Sequence, residues 1–311
     1  SFNFNPFQIH PLTVSNPLMA SLTLAIDSSS TLLSVAIVDN AQPVLELDSI
    51  QFLNQSNPQP TRANAGDDDA LPHGFVRKRS KGKGKTSRIF PPGASTLLAP
   101  MIKAALDQAG INFGDIDLIA ATKGPGSFTS LRVGVVTAKT IAYATDTPIL
   151  GINTLEALAF GATELSFAGN SGDPPDQLKI RPVINAQRGQ LFSSYYQAFS
   201  DDQSSLQLEE ISSSQVTEFE NWASSISTDD IITGPGIPDA LTPELIAQLG
   251  CKLMNQENRN CSASLVGRLA EKKHIAGERE SHWKLEPIYF RPSTAEETFD
   301  RKQAEKNNRS V

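Results

Sequence analysis

One glycine turn combines hydroxyl and basic residues at a spacing that could support chemistry on a phosphate. Residues 123–132 read Lys-Gly-Pro-Gly-Ser-Phe-Thr-Ser-Leu-Arg, and Ser127 can cap a following helix by accepting a bond from a backbone N–H. A helix N-terminus behind glycines can bind an anion, so nucleotide binding stays open here. The turn is not a P-loop, because no Lys-Ser/Thr follows a spaced pair of glycines.

The histidines and cysteines form no motif for metal binding or nucleophilic catalysis in the sequence. No His-x-x-x-His or His-Glu-x-x-His occurs, so the ligand spacing of a metallopeptidase is missing. The cysteines lack paired spacing and predict neither a disulfide framework nor a zinc site. Nothing gathers a serine, a histidine and an aspartate, although distant residues can meet in a fold. The residues concerned are His10, His73, His274, His282, Cys251 and Cys261.

Composition narrows the class of protein. The chain has 311 residues, of which 39% are hydrophobic and 20% charged, typical of a globular protein with room for two domains. A net charge of −7 argues against a protein that coats nucleic acid or an anionic membrane. No apolar run reaches membrane-spanning length, and the first twenty residues do not resemble a signal peptide. We therefore expect a cytoplasmic protein with a disordered extension at 1–20 and a natural start at Met19.

The elements that must position the glycine turn predict a complete α/β unit. Apolar runs of strand length and runs with helical spacing alternate along the first half of the chain. Predicted strands cover 22–26, 33–38, 43–51, 117–122 and 149–151, and predicted helices cover 95–110 and 128–143. Three strands followed by alternating helices and strands indicate a mixed sheet flanked by helices.

The second half of the chain predicts a second α/β unit with a similar order of elements. Predicted strands cover 180–186, 190–199, 206–211 and 230–233, and predicted helices cover 154–161, 216–225, 243–249 and 264–276. We therefore predict an α/β protein with two domains, at 21–151 and 152–291. A charged, flexible tail is expected at 292–311.

Residues 54–92 interrupt the first unit and predict a disordered insertion, because a structureless loop of this length is unusual inside a compact domain. Its last part is basic, with seven lysines or arginines between residues 77 and 88. One interpretation is an electrostatic tether for RNA, and the other is a solvated loop. No aromatic residues lie between the charges, so a stacking platform for bases is not indicated.

A row of small residues marks the helix after the glycine turn. Ser130, Gly134, Ala138 and Ala142 recur every fourth residue, which leaves a shallow groove that another helix can approach closely. Glycine within a helix costs about 1 kcal/mol relative to alanine, so Gly134 predicts a packing reason. The groove could hold a helix of the same domain or a helix of another chain.

Several of these stretches together resemble the bacterial TsaB (YeaZ) family. The resemblance rests on residues 25–28 with 34–36, the block 124–134, residues 148–155, Asn185-Ala186-Gln187-Arg188-Gly189, and Glu-Pro-Ile-Tyr-Phe-Arg at 286–291. It covers most of residues 22–291 apart from the insertion, and the Gly-Pro-Gly-Ser-Phe-Thr block is its specific part.

The resemblance implies a fold of two ribonuclease-H-like domains, as in actin-like ATPases and sugar kinases. It also implies a non-catalytic subunit that acts with the paralogue TsaD in making threonylcarbamoyladenosine in tRNA. Members of the family pair through helices of the first domain, as homodimers or with TsaD. A TsaE-type ATPase is implied as a member of the larger complex, and contact with tRNA is implied to be indirect. The resemblance implies neither a cofactor nor a membrane.

Two sets of residues follow from the resemblance. The helices of the first domain give a predicted partner interface at Leu98, Met101, Ser127, Phe128, Ser130, Leu131, Arg132, Gly134 and Ala138. A vestigial nucleotide site is predicted at Asp27, Ser28, Asn185, Gly189 and Gly234.

The nucleotide site is called vestigial because two positions lack the chemistry of ATP-using relatives. Ser28 stands where those relatives have a glycine that lets phosphate approach the backbone, and Asn185 stands where the family commonly has aspartate. An amide cannot serve as a general base or a metal-holding carboxylate. Asp27 has the alternative role of ordering the turn after it. The rival functions are an ATP-dependent small-molecule kinase and a metallopeptidase of the glycoprotease type.

Overall fold

The computed structural model describes residues 21–56, 76–79, 87–90, 93–168, 177–200, 206–238 and 241–290. The first half contains β1 (Leu22–Asp27), β2 (Ser34–Asp39), β3 (Gln42–Asp48), α1 (Ser49–Ser56), β4 (Val76–Arg79), β5 (Ser87–Phe90), α2 (Ala94–Ala109), β6 (Leu118–Gly124), α3 (Phe128–Thr145) and β7 (Ile149–Asn153). The second half contains α4 (Thr154–Ala168), β8 (Leu178–Asn185), β9 (Gln190–Ser200), β10 (Leu206–Glu218), α5 (Phe219–Ser224), β11 (Asp230–Thr233), α6 (Pro243–Leu249), β12 (Lys252–Leu253) and α7 (Ala263–Ile275).

Two five-stranded sheets share one topology. The strand orders are β3-β2-β1-β6-β7 and β10-β9-β8-β11-β12. In each sheet the first three strands form an antiparallel meander. The fourth strand pairs in parallel with the first, and the fifth pairs in parallel with the fourth. The predicted α/β class, with two mixed sheets flanked by helices, is confirmed.

Strand β1 is buried on both faces, which explains its almost continuous apolar sequence. Leu24 and Ile26 belong to the core that the first sheet forms with α2 and α3. Ala25 faces the other way, toward α7. A β-carbon at Gly267 of α7 would lie 2.7 Å from Val38 Cγ2, so the helix axis approaches the sheet closely. Small residues therefore set the spacing on this side of the sheet.

Helix α7 packs on the first sheet, although the sequence places residues 264–276 in the second domain. It contacts β1, β2, β6 and β7, and it also packs against α4. Helix α4 in turn lies against β8, β9 and β10 of the second sheet. The two helices therefore form a layer between the sheets. The physical reason is that the apolar face of α7 matches the small residues of β1 rather than the second sheet.

Part of the segment 54–92, for which the sequence predicts disorder, forms regular secondary structure. Helix α1 extends to Ser56, and β4 pairs antiparallel with β5 in a separate two-stranded sheet. Val76, Ile89 and Phe90 are residue types that favour strands, which accounts for a hairpin within a basic sequence. Residues 57–75, 80–86 and 91–92 lie outside the described part, as do the predicted extension 1–20 and the tail 292–311.

The helix predicted at 216–225 begins only at Phe219. Strand β10 continues to Glu218, and its residues 215–218 pair with residues 190–193 of β9. Strand pairing therefore overrides the local helical pattern at this point. Within the described ranges, no helix is long and apolar enough to cross a membrane.

Candidate functional site

Asp27 orders the turn at the end of β1. Its Oδ1 accepts bonds from the Ser29 backbone N–H at 2.9 Å and from Thr122 Oγ1 at 3.0 Å. The Ser28 N–H donates to the same Thr122 oxygen at 3.0 Å. Burial raises the pKa of the Asp27 carboxyl, and these hydrogen bonds oppose the rise. Oδ1 of Asp27 thus holds the turn against β6.

The glycine turn before α3 packs directly on this turn. The Ser127 N–H donates to the Ser29 carbonyl at 2.6 Å. A β-carbon at Gly126 would lie inside the contact distance of the Ser29 carbonyl oxygen and 2.9 Å from its carbon. Glycine is required at 126 because the two backbones touch. The Ser127 N–H, directly before α3, is therefore already paired within the chain.

The row of small residues on α3 is covered by the chain itself. A β-carbon at Gly134 would overlap Ser28 Oγ and lie 2.8 Å from Ser28 Cβ. Ala138 and Ala142 are buried in the core that α3 shares with α2 and β1. Of the two predicted alternatives, the groove holds residues of the same domain. The close contact with Ser28 explains why residue 134 is a glycine.

Five residues of the predicted partner interface are consequently corrected. They are buried within the chain, where they fill the space between the first sheet and its helices: Leu98, Met101, Leu131, Gly134 and Ala138. A side chain buried in its own domain cannot form the surface that a partner contacts. Of the others, Ser127, Phe128 and Ser130 are half-buried and Arg132 is exposed.

The exposed face of α3 lies opposite that row. Thr129, Arg132, Val136, Thr140 and Tyr143 are exposed, and their spacing of three and four residues places them on one face of the helix. Val136 and Tyr143 are 60% and 63% exposed, although valine and tyrosine carry large apolar surface. The predicted interface did not include this pair. The pair could have been found in the sequence, because both residues are large and lie away from the small-residue row of the same helix.

The C-terminal segment (residues 282–290) runs along α3. At one end of the helix the Tyr143 ring lies 5.5 Å from the Trp283 ring and 5.6 Å from the His282 ring. In the middle Lys139 Nζ donates to the Leu285 carbonyl at 2.9 Å, and Leu285 is buried in the first core. Trp283 itself is highly exposed. The segment therefore extends the exposed face of α3 with an additional aromatic side chain.

At the start of α3 the same segment closes over the glycine turn. The Ile288 N–H donates to the Lys123 carbonyl at 2.7 Å. Arg132 Nε donates to Tyr289 Oη at 2.8 Å, and its guanidinium lies 3.9 Å from the centre of the Phe128 ring. The Phe128 and Tyr289 rings are 4.8 Å apart. Phe128 and Arg132 are therefore held by the chain's own C-terminal segment.

The next residue of that segment reaches the second sheet. The Phe290 ring lies 5.5 Å from the ring of Phe192 on β9. Tyr289 and Phe290 thus contact α3 and β9 in succession. The C-terminal segment connects the glycine turn of the first sheet with the second sheet.

The predicted nucleotide residues of the second half have structural roles of the same kind. Asn185 Oδ1 accepts a bond from the Gln187 N–H at 2.7 Å, within a turn where Gln187, Arg188 and Gly189 all have positive φ. A β-carbon at Gly234 would lie 2.9 Å from the Val183 nitrogen, so β11 ends close against β8. These contacts lie on the second sheet, while those of Asp27 and Ser28 lie on the first.

The carboxyl groups of the buried Asp27 and the half-buried Glu46 lie near the half-buried Cys261 thiol. Burial raises its pKa well above the usual value, and the nearby Asp27 and Glu46 carboxylates raise it further. Burial also raises the pKa of Glu46, against hydrogen bonds from Ser264. A thiol in such a place stays protonated and is a poor nucleophile. Within the described ranges, no group of three or more His, Cys, Asp or Glu side chains could hold a metal ion.

Comparison with known proteins finds similarity to two kinds of protein, TsaD and TsaB. A family model described as "TsaD: tRNA N6-adenosine threonylcarbamoyltransferase" matches residues 93–223. The tRNA threonylcarbamoyladenosine biosynthesis protein TsaB of Haemophilus influenzae is 28% identical over 200 residues, which cover 62% of this chain and 78% of that protein. TsaB of Bacillus subtilis is 36% identical over 98 residues, which cover 32% of this chain and 38% of that protein.

A solved structure agrees over almost its whole length. YeaZ from Pseudomonas aeruginosa superposes with a TM-score of 0.55 at 19% identity, covering 86% of this chain and 99% of that one. The chain is similar to the TsaB (YeaZ) proteins in sequence and in fold. The resemblance found in the sequence is thereby confirmed, and the structural likeness shows the shared fold.

The transferase relatives match over shorter segments. The tRNA N6-adenosine threonylcarbamoyltransferase of Erythrobacter litoralis is 46% identical over 74 residues, which cover 22% of each chain. That of Novosphingobium aromaticivorans is 33% identical over 139 residues, which cover 45% of this chain and 35% of that protein. The chain thus spans about a fifth to a third of these transferases, against 78% of the TsaB of Haemophilus influenzae.

Proposed function

We propose that the chain is a non-catalytic scaffold subunit in the synthesis of N6-threonylcarbamoyladenosine at position 37 of tRNA. Its partner is a TsaD paralogue, which carries the transfer chemistry. In the absence of that paralogue the chain pairs with itself, and a TsaE-type ATPase joins the larger assembly. The chain acts in the cytoplasm and meets tRNA through the assembly. The names of its TsaB and transferase relatives support this pathway.

The observation that carries the proposal is the exposed face of α3 with the C-terminal segment beside it. Four of the nine exposed large hydrophobic residues of the described part lie there: Val136, Tyr143, Trp283 and Tyr289. Arg132 lies on the same face. Aromatic residues and arginine are enriched in the centres of protein interfaces, where burying them contributes most of the binding energy. The proposed interface is therefore this exposed face of α3 and not the small-residue row.

A non-catalytic role agrees with the state of the reactive groups. Asp27 is buried and holds the turn through its hydrogen bonds to Ser29 and Thr122. The Cys261 thiol has a raised pKa, and residue 185 is an amide rather than a carboxylate. A general base or a nucleophile needs access to substrate and a pKa near the working pH. Asp27 is buried away from solvent, the Cys261 thiol stays protonated, and the Asn185 amide has no proton to exchange as an acid or base.

Co-purification with the TsaD paralogue of the same organism tests the proposed interface. Val136→Asp places a charge at the centre of the α3 face, so we expect at least a tenfold loss of affinity for the paralogue. Ile50→Asp on α1 is the matched control, because both side chains are 60% exposed. Equal recovery of the paralogue by the two variants would show that the interface lies elsewhere.

A second measurement separates the scaffold from the kinase alternative. The purified chain is incubated with ATP and magnesium, and phosphate release is compared between the natural sequence and Asp27→Ala. We expect no release above the buffer background from either chain. Release by the natural chain that Asp27→Ala abolishes would make the chain an ATP-using enzyme.

A further inference from the structure

The basic part of the insertion stands out by charge. Residues 76–90 contain seven lysines and arginines and no aspartate or glutamate. The rest of the chain keeps 20 of the 27 basic residues against all 34 acidic ones. Net charge is therefore strongly positive in fifteen residues and strongly negative elsewhere.

The backbone arranges this charge on a hairpin. Strands β4 and β5 pair antiparallel with Lys78 opposite Arg88, and Arg77 and Arg79 take the two adjacent register positions. Because residues alternate between the two faces of a strand, basic positions occur on both faces of the hairpin. Residues 80–86 between the strands contribute Lys81, Lys83 and Lys85 to the charge of the sequence.

An anionic partner would stabilise such a hairpin. Like charges directly opposite each other destabilise a strand pair, and a two-stranded sheet alone is marginally stable in water. The hairpin is separate from both five-stranded sheets, so it gains no ladder hydrogen bonds from them. A polyanion that neutralises both faces would stabilise the pairing of Lys78 with Arg88.

We propose that hairpin β4–β5 binds the sugar-phosphate backbone of RNA. This proposal rests on the proposed function, in which the assembly acts on tRNA, and it makes the contact with RNA direct. Three of the four strand cations are arginines, whose planar guanidinium groups match phosphate oxygens well. No aromatic residue lies between positions 77 and 88. The hairpin therefore binds phosphates without reading bases.

An anionic membrane is the less favoured polyanion. Basic clusters that bind lipid head groups lie beside a membrane-spanning helix or on an amphipathic helix. The basic residues here belong to paired strands, and within the described ranges no helix could span a membrane. Vesicles nevertheless provide a direct comparison in the test.

The test measures binding of the purified full chain to a fluorescent tRNA transcript across a salt series. Each cation that neutralises a phosphate adds about 0.7–0.9 to the slope of log affinity against log salt. Removing the four strand cations (Arg77→Ser, Lys78→Ser, Arg79→Ser, Arg88→Ser) should therefore lower the slope by about 3. The control removes the same charge from four exposed lysines of the body, Lys103, Lys179, Lys252 and Lys284, each replaced by serine.

The proposal requires the hairpin variant to lose affinity and slope while the control keeps most of both. Equal losses in the two variants, or an unchanged slope in the hairpin variant, would overturn it. Hairpin-dependent binding to phosphatidylserine vesicles but not to tRNA would assign the hairpin to a membrane instead. Because the chain is tested alone, RNA binding can persist even where Val136→Asp shows that the proposed partner interface is wrong.

Discussion

Replacing Gly134 by alanine tests whether the inner face of α3 is filled by the chain's own residues. In an open groove the change would stabilise the protein by about 1 kcal/mol, because alanine is the better helix former. In the structure the new methyl group overlaps Ser28 Oγ and lies 2.8 Å from Ser28 Cβ. Overpacking a buried site costs about 1–3 kcal/mol. Ser28 is fully buried, so we take the upper value and expect a net loss of about 2 kcal/mol.

A second variant, at residue 28, tests whether Ser28 is the cause of this loss of stability. Ser28→Gly removes the atoms that the methyl group would meet, so Ser28→Gly with Gly134→Ala should be about 3 kcal/mol more stable than the sum of the single changes predicts, because the whole overpacking cost is relieved. Urea unfolding followed by circular dichroism measures all four chains of the cycle. A Gly134→Ala chain that is more stable than the natural one, with no coupling to residue 28, would refute the packing described here.

Two further predictions concern the turn at Asp27 and the C-terminal segment. Burial raises the pKa of Asp27 above its ordinary value of 3.8, so the folded chain holds this proton more tightly than the unfolded chain. The stability that the protonated group contributes is therefore lost as the pH rises through the folded pKa. Asp27→Asn keeps an acceptor for Ser29 and Thr122, so its melting temperature relative to the natural chain should increase from pH 4 to pH 8; a constant difference would contradict this. Tyr289→Ala removes the ring beside Phe128 and the acceptor for Arg132, so the Ile288 amide should exchange at least tenfold faster with deuterium. An unchanged rate would show that Tyr289 does not hold the segment.

Local patterns predicted most elements of the first sheet and its helices. The helix predicted at 128–143 is observed at Phe128–Thr145, because glycines precede it and its apolar spacing is regular. The row at Ser130, Gly134, Ala138 and Ala142 correctly indicated close packing. Spacing within one helix cannot identify the neighbour, since Ser28 is more than a hundred residues away in the sequence. The small-residue row predicted to dock a partner is therefore buried against the chain's own residues.

The C-terminal segment could not be predicted from periodicity. Residues 282–290 form neither a helix nor a strand, and the contacts described above join them to residues about 100 to 165 positions earlier in the chain. The sequence did provide the motif at 286–291, but only as a resemblance. Likewise, small residues on β1 and Gly267 decide where α7 packs, and this match is visible only when the strands are assembled. Packing over long sequence separations decides both features.

The most direct test of the central claim is the formation of threonylcarbamoyladenosine in a tRNA transcript by purified components. The other components of the reaction are held constant, and the chain is assayed alone, with the proposed TsaD partner, and as Val136→Asp and Ile50→Asp with that partner. We expect no product from the chain alone, product from the natural and Ile50→Asp pairs, and at least tenfold less from the Val136→Asp pair. Product formed by the chain without the paralogue, or equal product from all three pairs, would contradict the account.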